Sequence, residues 1–205
     1  MSNQARFIAF EGGEGSGKST QARRIADARG ALLTRQPGGT EIGASIRELL
    51  LSPSTQGLSD HAEALLMAAD RAQHVAEMIQ PALAAGRDVV CDRYVSSSLA
   101  YQGAGRNLGI DAVLALSEFA VGETWPDLNV LLDVPPEIGL GRIDGPPDRL
   151  EQQGDGFHDR VRQTFLDLAS AEPDRWLVID ATQPIEQVAV ELDAGLNARL
   201  GWVLA

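Results

Sequence analysis

Cysteine is nearly absent from this 205-residue chain. Cys91 stands alone, so no internal disulfide can form, and a reducing compartment such as the cytoplasm is expected. Basic charge is scarce as well. Seventeen Lys and Arg residues face 29 Asp and Glu, and the net charge of -12 opposes nonspecific adhesion to nucleic acid or anionic lipid, whose phosphates reward a basic face. No nucleic-acid partner is expected, and a site for a phosphorylated ligand must be a local cluster of cations in an acidic envelope. No run reaches the roughly 18–20 apolar residues of a membrane span, and "MSNQARFIAF" lacks the basic-then-apolar order of a signal peptide. His61, His74 and His158 have no metal-binding spacing and no nearby Cys or His, so no zinc-type centre is expected. His74, three residues beyond Arg71, reads as a partly buried helix residue.

The length suits one well-cored domain over residues 1–205. Short apolar runs, "RFIAF", "ALLT", "DVVC", "LNVLLDV" and "WLVID", alternate with longer helix-like segments at 18–29, 40–51, 60–84, 110–121, 157–171 and 184–199. That alternation predicts an α/β fold with a parallel sheet covered on both faces. Pro81 predicts a kink or fresh start in the helix at 60–84. The polar stretch "GRIDGPPDRLEQQGDG", 141–156, predicts a flexible excursion, because loops this long are more often functional or mobile than merely connective.

"FEGGEGSGKST" follows the first strand candidate and opens the first helix, the context that G-x-x-x-x-G-K-[ST] requires. Residues Gly12, Gly13, Glu14, Gly15, Ser16, Gly17, Lys18, Ser19 and Thr20 are the expected ATP cradle. Glycines there turn backbone N–H groups toward phosphate oxygens at a helix N-terminus. Lys18 can reach the β- and γ-phosphates, and the Ser19 hydroxyl can ligate Mg²⁺. No Asn-Lys-x-Asp segment reads a guanine. "DVVCDRY" ends a buried strand in Asp92, a second expected Mg²⁺ contact, and Arg93, a cation suited to a second phosphorylated ligand rather than an attacking water. The plainer reading of Asp92–Arg93 is a surface ion pair.

Four further segments, "TRQPGGT" (34–40), "LLMAADRAQH" (65–74), "DRYVSSSLAYQG" (92–103) and "DRLE" (148–151), resemble in order the signatures of bacterial thymidylate kinases. The resemblance runs from the first strand to "IDATQP" near the end. It implies a P-loop three-layer sandwich with a five-stranded parallel sheet in the order 2-3-1-4-5, with the excursion at 141–156 as a mobile lid. It also implies transfer of the γ-phosphoryl of ATP to dTMP with Mg²⁺, and a homodimer.

The same resemblance implies the acceptor site. Arg35 and Arg93 would clamp the dTMP phosphate, and Pro37 with Gly38 and Gly39 would bring backbone close to the ligand. Arg71 would hydrogen-bond a thymine carbonyl, and Met67 would cover the base where relatives carry Phe; core packing is the plainer reading of Met67. Ser97, Tyr101 and Gln102 would meet sugar and base, with helix capping and surface exposure as the alternative. Gln36 stands where many relatives have Glu. Glu14 would touch Mg²⁺ or the acceptor's 3′-hydroxyl. Arg149 is the expected lid arginine at the γ-phosphate, with Arg142 assisting. Another nucleoside monophosphate kinase, or a nucleotide-binding regulator without turnover, stays open as the competing reading.

Overall fold

The structure, a computed structural model, describes residues 5–154 and 156–204, so Met1–Gln4, Ala205 and Asp155 of the expected lid lie outside the described residues. All five strands form where the apolar runs predict: β1 (Phe7–Glu11), β2 (Leu32–Arg35), β3 (Val89–Asp92), β4 (Leu128–Asp133) and β5 (Trp176–Asp180). They make one parallel sheet in the order β2-β3-β1-β4-β5. β1 is central, with Ile8 beside Val90 on one side and Leu128 on the other. All five residues of β1 are buried, which explains its unbroken apolar run: helices cover both faces, so neither face selects polar residues.

Side chains alternate along β1 into two cores. Ile8 and Phe10 pack with Ile25 of α1 (Lys18–Arg29) and Leu192 and Leu196 of α9 (Ile185–Leu200). Phe7 and Ala9 pack on the opposite face with Val75, Ile79 and Val113 of α6 (Ile110–Val121). A third cluster joins Met67 of α3 (Asp60–His74) to Tyr101, Leu150, and Phe157 and Phe165 of α8 (Phe157–Ala171). The chain runs from β1 to β2 and β3 on one side of the central strand, then crosses to β4 and β5 on the other. The carboxyl ends of these strands therefore open the crevice where ligands gather in such sheets.

Local signals set several helix ends. Thr40 accepts from Gly43 N to start α2 (Glu41–Leu51), and Ser59 accepts from Ala62 N to start α3. At Pro81 the chain does make a fresh start: a π-helical turn, Val75–Ile79, separates α3 from α4 (Gln80–Ala84), with the proline in the first turn of α4. The wider turn absorbs the missing proline N–H before the α-helical ladder resumes. A second π-helical segment, Leu99–Gly105, continues the short α5 (Val95–Ser98) and carries the "AYQG" residues. No helix among the described residues is long and apolar enough to cross a membrane.

Candidate active site

The phosphate loop runs from β1 into α1 and is pressed against α7 (Pro136–Leu140). Gly15 has φ +63°, and a Cβ there would lie 1.9 Å from Gly139 O; one on Gly139 would lie 2.2 Å from Glu14 O. Only two glycines allow this approach, which fixes the loop's outer curve from a segment 124 residues away. Lys18 is buried and donates to Gly13 O at 2.5 Å and Ser16 Oγ at 3.1 Å. Burial, reinforced by nearby Arg93, pushes its ammonium down to about 8.

Ser19 Oγ donates to Asp92 Oδ2 at 2.5 Å, so the two residues expected at the metal do meet. A hydroxyl and a carboxylate are hard oxygen donors, and no group of three or more His, Cys, Asp and Glu among the described residues could hold a metal by itself. This donor set fits Mg²⁺, which keeps water and substrate-phosphate ligands rather than a full protein cage. Glu14 does not join them. Its Oε1 accepts from Arg93 Nη2 at 2.8 Å and Tyr101 Oη at 2.7 Å, on the other side of the loop. Burial alone would raise this carboxyl, but Arg93 and Lys18 outweigh it and hold it at about 2.

Arg93 is the hinge between two chambers. Its backbone is left-handed, φ 69°, a strained conformation for a non-glycine, and its N–H donates to Phe10 O. The guanidinium reaches Gly12 O (2.8 Å), Ser97 Oγ (3.2 Å) and Glu14, and lies over the Tyr101 ring. Burial works against its charge, yet the carboxylates around it prevail and raise its pKa. Lys18, Ser19, Arg35, Asp92 and Arg93 line one cavity of about 630 Å³, together with Arg23 and Arg47. Arg71, Met67, Pro37, Ser97, Tyr101 and Gln102 line an adjoining chamber, and Glu14, Gln36, Arg47 and Arg93 belong to both.

In the second chamber Arg71 is 2 % exposed, far from the solvated arginine that helix α3 would present by default. It donates to Gln36 Oε1 (2.9 Å), Ser117 Oγ (3.2 Å), Ser98 Oγ (2.6 Å) and Tyr94 O (3.4 Å), leaving one of its five N–H groups for a ligand. Gln36 is thus a neutral acceptor for Arg71. Ser97 donates to Glu11 Oε2 at 2.5 Å and Tyr94 N donates to Glu11 Oε1, so this fully buried carboxylate anchors the start of α5. Burial raises the Glu11 carboxyl. Gln102 Nε2 donates to Glu63 Oε1 at 2.9 Å. His74 is fully buried, its Nε2 2.6 Å from Thr34 Oγ1, and lines neither chamber.

The lid arginines divide differently from the expectation. Arg149 does not reach the Lys18 cavity: Nη2 donates to Glu63 Oε2 at 2.6 Å and Nε to Leu50 O at 2.7 Å, docking residues 148–151 on α2 and α3. The fully buried Glu63 carboxylate needs a cationic partner, and Arg149 supplies one. Arg142 lies at the loop instead, donating to Ala181 O at 2.9 Å and lining a third cavity with Gly15, Gly17, Gln21 and Thr182. Sequence reasoning also missed Arg47, which donates to Pro37 O and lines both chambers, and the buried carboxylates Glu11, Glu63 and Asp70. Arg47 looks like one more helical charge in "ASIRELL"; only its contact with the Pro37–Gly38 turn aims it inward.

The Thymidylate kinase family model matches residues 10–192. A thymidylate kinase of Lactobacillus helveticus (strain DPC 4571) is 48 % identical over 204 residues, covering 95 % of this chain and 96 % of that protein. One of Bifidobacterium longum (strain NCC 2705) is 50 % identical over 197 residues, covering 91 % and 96 %. One of Pseudomonas syringae pv. tomato (strain ATCC BAA-871 / DC3000) is 49 % identical over 194 residues, covering 91 % and 92 %.

Proposed function

The chain belongs to the thymidylate kinase family, and on that premise we propose how its own residues divide the transfer of the γ-phosphoryl group of ATP to dTMP. The observation that carries the division is the pair of contiguous chambers, one holding Lys18 and the other Arg71, with Arg93 in the wall of both. Two nucleotides laid end to end put their reacting phosphates at that wall, where positioning and charge neutralisation supply most of the catalysis.

On the ATP side, residues Gly12–Thr20 wrap the triphosphate. Lys18 exchanges Gly13 O and Ser16 Oγ for phosphate oxygens, and Arg142 faces the outer part of the nucleotide. Ser19 and Asp92 are the residues that would hold Mg²⁺, which would supply charge neutralisation at the phosphates. On the dTMP side, Arg35, Arg47 and Arg93 clamp the monophosphate, planar forks suited to it. Arg71 donates its remaining N–H to the thymine O4 and Gln102 accepts from N3–H, with Met67 against the ring. Glu14 and Tyr101 face the sugar, where Tyr101 crowds a 2′-hydroxyl. The latch formed by Arg149 with Glu63 closes the wall of this chamber rather than touching the γ-phosphate.

The segment 141–156 is the lid of a single kinase unit, anchored by Arg142 at the phosphate loop and Arg149 at α3. A second copy of the chain covers α3 and α6, which pack together and leave Leu65 and Phe119 56 % and 94 % exposed. The lone buried Cys91 suits the cytoplasm. The test of substrate is ADP release with dTMP, dUMP, UMP, CMP and dGMP as acceptors. The fastest turnover is expected with dTMP, then dUMP, which shows the same hydrogen-bonding edge. Equal rates on CMP, whose edge is reversed, would overturn the assignment of Arg71 and Gln102.

A further inference from the structure

Glu63 touches neither chamber, yet it is the most heavily hydrogen-bonded carboxylate near them. It is fully buried. Its Oε1 accepts from Gln102 Nε2 (2.9 Å) and Arg106 Nε (3.2 Å), and its Oε2 from Arg106 Nη2 (3.0 Å) and Arg149 Nη2 (2.6 Å). Four donors fill the four lone-pair sites of an ionised carboxylate. Burial opposes that charge, but the Arg106, Gln102 and Arg149 hydrogen bonds outweigh it, and the pKa lies below the usual carboxylate range.

A carboxylate held ionised can only accept. The Gln102 side chain is a two-ended group, NH₂ on one side and carbonyl on the other, and in water it presents either end with equal ease. Against Glu63 only the NH₂ end is tolerated, because a carbonyl turned that way would set two acceptors face to face in a dry site. Gln102 is 1 % exposed and lines the Arg71 chamber, and its carbonyl oxygen accepts no hydrogen bond from the described residues. We propose that Glu63 is a specificity-determining positioning residue: by fixing the polarity of the Gln102 amide it makes the chamber donor at Arg71 and acceptor at Gln102, the complement of a 4-oxopyrimidine edge and the opposite of a 4-aminopyrimidine edge. This rests on the assignment of Arg71 and Gln102 to the base. The same carboxylate holds Arg149, and Leu150 beside it walls the chamber, so the base reader and the wall share one anchor.

The experiment compares kcat/KM for dTMP and dCMP in the wild type, Glu63→Gln and Arg106→Gln. A glutamine at 63 can donate or accept, so the Gln102 amide is free to turn. The dTMP/dCMP ratio is expected to fall about tenfold or more, through a raised KM for dTMP and a lowered one for dCMP. Arg106→Gln loosens the same ion cluster but leaves Glu63 an obligate acceptor, and it keeps the wild-type ratio. If Glu63→Gln lowers both substrates in parallel, Glu63 only supports the fold and the proposal fails. A wild type with no preference for dTMP would instead sink the base-site assignment itself. Should Glu63→Gln not fold, NMR of the wild-type protein decides. The Gln102 side-chain NH₂ is expected to be protected from exchange before dTMP binds, and its carbonyl ¹³C to shift on binding. A freely exchanging NH₂ overturns the proposal.

Discussion

The phosphate loop and the acceptor chamber meet at Arg93 and are built on opposite plans. The loop is one contiguous stretch that offers backbone N–H groups and a single lysine. Its shape comes from glycine contacts such as Gly15 against Gly139. The chamber is assembled from side chains of the turn after β2, α2, α3, α5, the π-helical segment and residues 148–150, and its polar groups lean on buried partners. Ser97 leans on Glu11, Arg93 and Tyr101 on Glu14, Gln102 on Glu63, and Arg71 on Gln36, Ser98 and Ser117. Lys18, whose acceptors are Gly13 O and Ser16 Oγ of the loop itself, can be removed with little damage beyond the loop. A group in the chamber leaves an unpaired buried partner behind, so binding and stability fall together.

Lys18→Ala gives the largest expected separation: kcat falls about 10³-fold or more, because a charge positioned for the transition state is lost. Calorimetry should find the dTMP dissociation constant within about threefold of wild type. A collapse of dTMP binding would show that the two sites are not separable. Arg93→Lys is expected to cost about 10²-fold in kcat/KM for dTMP and to lower Tm as well, since a single nitrogen cannot take the places of both Nη1, at Gly12 O and Ser97, and Nη2, at Glu14. Lost activity at an unchanged Tm would make the chamber as tolerant as the loop.

That contrast also decides what could be read in advance. The sheet was legible to within one residue of each strand boundary, because buried parallel strands carry their signal in consecutive residues. So was the turn of the loop, which is carried by adjacent glycines ahead of Lys18 and Ser19. The chamber was legible only through its resemblance to thymidylate kinases, and its inner carboxylates not at all. Glu63 in "DHAEALL" has the spacing of any polar helix residue; it becomes a buried acceptor only because Arg106 and Arg149, 43 and 86 residues on, fold onto it. Arg149 misled for the same reason, since nothing in "DRLE" reveals that its partner is a carboxylate on α3 rather than a phosphate.

Below Gly39, on the acceptor side, His74 supplies a stability test. Burial, then the nearby Arg71 charge, pushes its pKa down to about 4 from 6.5. The folded state therefore binds fewer protons than the unfolded one between these values, so stability is complete above pH 6.5 and is lost as pH falls toward 4. From pH 7 to pH 5 the loss is about 2 kcal/mol, roughly 30-fold in the folding equilibrium. Urea titrations at the two pH values measure it. His74→Gln, which keeps a partner for Thr34, should remove most of the difference; an undiminished difference assigns the pH sensitivity elsewhere.

The smallest effect sharpens the comparison most, because it sets the one loop cation against the chamber cations. Lys18 is the only lysine in a chain with sixteen arginines. With its pKa near 8 in the free protein, it loses charge just above neutrality, whereas Arg93 among its carboxylates does not. The specificity constant reports groups in the free enzyme. As pH rises from 7 to 9, kcat/KM for ATP should therefore fall about tenfold. kcat/KM for dTMP, measured at saturating ATP, should stay nearly flat, because the bound triphosphate restores the charge on Lys18 and Arg93 never loses its own. Reductive ¹³C-methylation labels this one side chain and the N-terminal amine, so NMR can follow the titration directly. A Lys18 resonance that titrates near 10.5 would mean that burial does not depress it, and the loop would then be as fixed in charge as the chamber it faces.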